Sequence, residues 1–133
     1  MQPTKTRGAG SLDVKSAVAD RSVLDTSHHH HAAQPPTMPP SHVLATAGET
    51  LRALSAPVRI AIVVQLGEST RCVHELVDAL GLPQPLVSQH LRILKAASVV
   101  VGERTGREVR YRLVDRHLAD IVAAAVTHAA EHR

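Results

Sequence analysis

The stretch VHELVDALGLPQPLVSQHLRILKAA, Val73–Ala97, decides how this chain folds. Val73–Leu80 is apolar at helical intervals and ends at Gly81, the residue type that best accepts the left-handed turn closing a helix. Leu82-Pro83 redirects the chain, and a longer helical pattern follows over about Gln84–Ala97. There Val87, Leu91 and Leu94 fall within about 60° of one another and predict a core-facing stripe. Pro85, Ser88, Gln89, Arg92 and Lys95 take the opposite arc. Short helix, glycine-centred turn and longer helix make a helix-turn-helix, whose second helix enters the major groove of double-stranded DNA with its leading residues against base edges. Gln84, Pro85, Ser88, Gln89 and His90 form that leading half. Ser and Gln exchange hydrogen bonds with bases. Arg92 and Lys95 are placed for phosphates, which fix register without carrying sequence information.

Downstream, Val99-Val100-Val101 and Val109–Leu113 are β-branched or alternating runs flanking Gly102–Arg107, which predicts a β-hairpin with a basic tip. Arg104 and Arg107 on that tip would reach the DNA backbone or an adjacent minor groove. The expected fold is therefore mainly α with a β-hairpin wing, a winged helix-turn-helix. Net charge is only +3, but between Gln84 and Arg112 stand Arg92, Lys95, Arg104, Arg107, Arg110 and Arg112 against Glu103 and Glu108. Positive charge thus concentrates on the segment expected to read DNA.

Upstream, Val43, Leu44, Ala47, Leu51 and Leu54 predict a helix over His42–Leu54. Ser55-Ala56-Pro57 breaks it and starts the next, with Ser as cap and Pro in the first turn. That helix runs through Ile60, Val63, Val64 and Leu66 and stops at Gly67. Residues 1–41 are rich in Ser, Thr, Ala, Gly and Pro, carry the run His28–His31, and lack an apolar period, so they read as a disordered arm before one domain at 42–133. Phe and Trp are absent and Tyr111 is the sole aromatic, leaving a core of Leu, Val, Ile and Ala. A domain this small is marginally stable, and a dimer contact would add to it. The single cysteine, Cys72, excludes an internal disulfide and fits a reducing compartment. No run is apolar enough to span a membrane, and the start lacks the apolar core of a secretory signal; the expected location is the cytoplasm, with no membrane partner.

The last helix begins near Asp115, and Leu118–Ala130 contains neither Gly nor Pro. On it Asp115-x-His117 and His128-x-x-Glu131 supply two imidazoles and two carboxylates, a full set for a tetrahedral zinc ion. The histidines share a face within about 20° but stand about 16 Å apart, so one copy cannot close the site. Two antiparallel copies can, which predicts a homodimer with two identical interfacial sites. Both histidines border the Leu118/Ile121/Val122/Ala125 stripe. Taken singly, each residue has an ordinary role: Asp115 as N-cap, His117 as a solvated first-turn side chain, His128 and Glu131 as a surface i,i+3 pair. Asp115 lies about 200° from His117 on a regular helix, so it must sit at the non-helical start, where capping and ligation compete for it. Asp120 and His132 stand as alternative ligands. A set without thiolate favours Zn(II) over Cu(I), with Co(II) as surrogate. Four protein ligands leave no open coordination position and no nucleophile–base pair is visible, so the expected function is not enzymatic.

Over residues 43–133 the chain resembles the ArsR/SmtB family of metal-responsive repressors, above all its zinc-sensing SmtB branch. The resemblance is carried by Leu54–Ile60, Val87–Leu94, Gly106–Leu113 and the ligand spacing of the last helix. It implies a homodimeric repressor on a partly palindromic operator, released when zinc binds at Asp115, His117, His128 and Glu131. It implies a route as well: liganded His128 donates its other N–H to backbone near Ala97–Ser98. An accessory metal site is also implied. In relatives a cysteine at the position of Cys72 binds metal with N-terminal ligands; here Glu75 follows at i+3, with His42 and His28–His31 upstream, while His74 stands where cadmium and lead sensors have a second cysteine. For Cys72 alone, the plain alternative is a small, partly buried side chain. Two other functions fit the same residues: a repressor of this fold sensing cobalt, nickel or another inducer, and a protein that buffers zinc with the arm's histidines.

Overall fold

Pro40 holds its backbone extended, and its carbonyl accepts the amides of Val43 (3.0 Å) and Leu44 (3.1 Å), so a helix opens at Ser41. In this computed structural model, which describes residues 37–132, the order is α1 Ser41–Ala53, α2 Pro57–Glu68, β1 Arg71–Cys72, α3 Val73–Leu80, α4 Gln84–Ala96, β2 Val100–Thr105, β3 Glu108–Leu113 and α5 Arg116–Glu131. The expected arm lies outside the described residues except for its last few, and Ser41 belongs to α1 rather than to the arm. The winged helix-turn-helix is present as expected.

α1 and α2 meet at a 97° bend. Ser55 does not cap α2. The residue before the helix is Ala56, with extended backbone and no side-chain cap, because Pro57 at the first helical position has no N–H to satisfy and a preset φ. Ser55 closes α1 instead, its hydroxyl donating to the Arg52 carbonyl at 2.8 Å. The core forms where α2, α3, α4 and α5 converge: Ile62, Val63, Leu66, Leu76, Val87, Leu91, Leu94, Leu118 and Val122 are buried together. The expected α4 stripe is inside, with Val87 and Leu94 at 0% exposure and Leu91 at 2%. Each such side chain stabilises the fold by about 1.5–3 kcal/mol through lost apolar hydration.

The hairpin is longer and tighter than the sequence indicated. α4 ends in a Schellman closure: Ser98 N–H reaches the Lys95 carbonyl (3.0 Å) and Val99 N–H the Leu94 carbonyl (2.9 Å), with Ser98 at φ 61°. That commits the Val99 amide to the helix, so β2 starts at Val100. Register from Val100↔Leu113 to Thr105↔Glu108 draws Gly102–Thr105 into the ladder and leaves only Gly106-Arg107 as the turn. Gly106 at φ 65° in the first turn position is what a two-residue II′ hairpin needs. Gly102 is required by packing: a Cβ there would lie 2.9 Å from Val109 Cγ1 and 3.0 Å from Tyr111 Cε1. β1 was not expected. It pairs antiparallel with β3 (Arg71↔Tyr111, Cys72↔Arg110), giving the order β1-β3-β2.

Two helices keep apolar faces uncovered. α1 is buried only at Ala53, while Val43, Leu44 and Leu51 are 45%, 48% and 56% exposed. On α5, Leu118 and Val122 face the core, whereas Ile121 and Val126 are open. Among the described residues no single helix is long and apolar enough to cross a membrane.

Candidate nucleic-acid interface and metal-ligand clusters

Gly81, at φ 68°, closes α3 with its N–H on the Val77 carbonyl (2.8 Å), and Pro83 opens α4. This turn presents the leading residues of α4 outward: Gln84, Pro85 and Gln89 are exposed and Ser88 half-buried, with Arg92 and Lys95 exposed beyond them. His90 is placed otherwise. Its half-buried ring turns to α2, where Arg59 Nη1 donates to Nδ1 at 3.1 Å. Arg59 Nε in turn donates to the Ala53 carbonyl at the end of α1. Burial first, and the Arg59 charge second, hold the His90 imidazole below its ordinary 6.5, consistent with a neutral ring accepting from the guanidinium.

The cations of this region divide into two groups. Arg110 is engaged by Glu75 (3.1 Å) and the Thr70 carbonyl (3.1 Å), and Arg112 by Glu103 (3.2 Å). Arg92, Lys95, Arg104 and Arg107 are exposed and make no ion pair among the described residues. Arg107 sits in the two-residue turn and Arg104 near the end of β2. Solvated cations thus lie along α4 and at the wing's end, available to phosphates.

α5 is one unbroken helix, so Asp115/His117 and His128/Glu131 occupy its opposite ends and do not meet. Asp115 is the extended N-cap; its Oδ1 accepts the His117 amide at 2.9 Å and stands 3.1 Å from the His117 ring Nδ1. At the far end the His128 ring stacks on His132 with centroids 4.3 Å apart, and His132 Nδ1 donates to the His128 carbonyl at 2.9 Å. Asp120, Glu131 and His132 are exposed. His117, Ile121, Ala124, His128 and Glu131 fall on one arc of about 80° and are all exposed. Leu118 and Val122 lie about 100° and 140° from its centre, so the stripe beside the histidines splits into a core side and an open side.

Around Cys72 the structure gathers a set other than Cys72, Glu75 and His42. The Glu75 carboxylate accepts the Cys72 amide at 3.0 Å, capping α3, and pairs with Arg110 at 3.1 Å. The capping bond first, and the Arg110 charge after it, hold its pKa below 4.5 despite an opposing desolvation effect. His42 is exposed on the first turn of α1. The donors that converge are Cys72, His74 and Glu108. Cys-x-His is visible in the sequence; Glu108 is not, because only the pairing of β1 with β3 brings it near.

Residues 56–100 match the bacterial regulatory protein, arsR family. The HTH-type transcriptional repressor SmtB of Mycobacterium tuberculosis is 73% identical over 96 residues, 72% of this chain and 71% of that protein. The chain belongs to the ArsR family.

This ArsR-family chain shares its fold with the transcriptional repressor BigR from Xylella fastidiosa, at 32% identity and TM-score 0.60 over 65% of this chain and 89% of that one. The homodimeric winged helix-turn-helix DNA-binding domain Mb0332 from Mycobacterium bovis aligns at 26% identity and TM-score 0.63, over 69% of this chain and 85% of that one. The family is one of DNA-binding transcriptional regulators, not an enzyme class. Its matched segment runs from the start of α2 into β2, so it includes the reading helix and ends before α5.

Proposed function

We propose that this chain is a zinc-responsive transcriptional repressor of the cytoplasm, whose homodimer binds operator DNA and loses affinity for it when zinc occupies sites shared by two copies of α5. The observation that carries this reading is the α5 geometry: two exposed half-sets of ligands, on one arc, at opposite ends of a single helix. Such half-sets are completed by an antiparallel second copy. That SmtB and BigR are themselves repressors supports reading this chain as a repressor.

The donor set fits the ion. Zinc supplies a dication held tetrahedrally by imidazole and carboxylate. Asp115 uses Oδ1 to cap α5 and so fixes the His117 backbone beside it; its second oxygen is left for ligation. Gln84, Pro85, Ser88 and Gln89 meet base edges, while Arg92, Lys95, Arg104 and Arg107 hold phosphates. His90 serves from inside, positioning α4 against Arg59. The response is linkage: the effector favours the dimer conformation that fits DNA less well, and a coupling of about 3 kcal/mol corresponds to about 150-fold in operator affinity.

Fluorescence anisotropy with the DNA upstream of the protein's own gene tests this. Zinc is expected to weaken binding by about 150-fold. His128→Gln should bind the operator normally and ignore zinc. Release of that variant by zinc would refute the α5 assignment.

A further inference from the structure

We propose that Arg110 is a positioning residue for operator binding, one that sets the wing against the helix-turn-helix so that Arg104 and Arg107 stand where phosphates pass. That role presupposes the proposed function, in which those two arginines hold phosphates. By position Arg110 belongs to the cation-rich stretch between Gln84 and Arg112. Its side chain is used otherwise. Arg110 Nε donates to Thr70 Oγ1 at 3.3 Å, and Nη2 donates to the Thr70 carbonyl and to Glu75 Oε1, both at 3.1 Å. Glu108 Oε1 lies 3.7 Å from Nη1. The same Glu75 oxygen accepts the Cys72 amide at 3.0 Å and so caps α3. One carboxylate therefore joins β3 of the wing to the first helix of the helix-turn-helix. Among the described residues, every side-chain hydrogen bond from β2 or β3 to residues that precede them is made by Arg110.

Register separates Arg110 from the cations it serves. It pairs across the hairpin with Glu103, whereas Arg104 pairs with Val109, so Arg110 and Arg104 leave opposite faces of the sheet. Arg107 sits in the turn beyond them. On its other side β3 meets β1 with Arg110 opposite Cys72, in a ladder of only two residue pairs. A ladder that short fixes the tilt of the hairpin weakly, and the guanidinium braces the joint at Thr70 and Glu75. The Arg112–Glu103 pair, by contrast, lies within the hairpin and connects it to no helix. A wing held in place meets phosphates without first losing freedom, and such preorganisation raises affinity. Lysine cannot copy the brace, because its ammonium is one point charge rather than a planar fork of fixed N–H donors.

Fluorescence anisotropy across a salt series, with the metal-free full chain and the DNA upstream of its gene, tests this. Arg110→Gln should weaken binding at least about threefold, and Arg110→Lys by a similar factor although it keeps the charge. Removing Arg104 or Arg107 as well should then cost much less than it does in the wild type, because the wing is already out of place. Glu75→Gln separates the effects by sign. Losing a negative charge by itself favours DNA binding, whereas losing the brace weakens it, and weaker binding is expected. Circular dichroism should show each variant folded; should Arg110→Gln fail to fold, Arg110→Lys and Glu75→Gln carry the test. A direct phosphate contact gives the other pattern: Arg110→Lys binds as the wild type, Arg110→Gln lowers the salt slope by about 1, and its effect adds to that of Arg104→Ala. That pattern overturns the positioning role, as does unchanged binding by Arg110→Gln or tighter binding by Glu75→Gln. If Arg104→Ala and Arg107→Ala alone leave affinity and salt slope unchanged, the wing's part in the proposed function fails first, and the role of Arg110 with it.

Discussion

His90 accepts from Arg59, and Arg59 holds the last carbonyl of α1, so two hydrogen bonds connect the first helix to the reading helix. The imidazole's pKa is lowered in the fold, so the unfolded chain takes up the proton first. Stability from this group is complete above the ordinary value of 6.5 and falls as pH drops through 6.5 toward the lower folded value. Urea unfolding at pH 7.5 and 5.5 should show the wild type losing more stability on acidification than His90→Asn. Equal losses would mean the Arg59 contact does not depend on the neutral ring. His90 belongs by order to the leading half of α4, but at 100° per residue it stands only about 40° from Leu94, beside the core stripe, where α2 passes close enough to claim the ring. Ser98 makes a similar point, since its left-handed backbone at φ 61° could not be read from a serine and is set by the closure of α4 onto β2.

At the scale of elements, the proposed function divides the work of binding between α4 and the wing. Ser88 and Gln89 stand on the leading turns of α4, and Arg104 and Arg107 at the end of the hairpin. Arg104→Ala and Arg107→Ala should each weaken binding by similar factors on operator and unrelated DNA, and lower the salt dependence of log K by about 1. Anisotropy across a salt series measures this; a loss confined to the operator would instead give those arginines a base-reading role. The wing's existence was legible in its Val-rich runs. Its length was not, because cross-strand pairing carries Gly102–Thr105 into the ladder despite the weak strand propensity of Gly102 and Glu103. β1 was illegible at two residues, too short to show alternation, and with it went the Glu108 side of the Cys72 cluster.

For the whole molecule, the uncovered apolar residues of α1 and α5 are the faces that the proposed homodimer would cover with another copy. Leu51, 56% exposed on α1, tests this without touching the core. Leu51→Glu should stay helical by circular dichroism, sediment as a monomer, and bind operator DNA at least tenfold more weakly than the wild type, since a monomer reaches one half-site only. A variant that still sediments as a dimer would remove α1 from the interface.

The sequence by itself determined the helices, the inward stripe of α4, the wing and the placement of Asp115/His117 and His128/Glu131 at the two ends of α5, because each rests on local periodicity or on spacing along one helix. Tertiary structure alone decided which cations are tied up, which partner His90 takes, and which carboxylate of β3 comes near Cys72. Those depend on strand register and helix packing, which join residues as distant as Cys72 and Glu108 or Arg59 and His90 and leave no periodic trace in the chain.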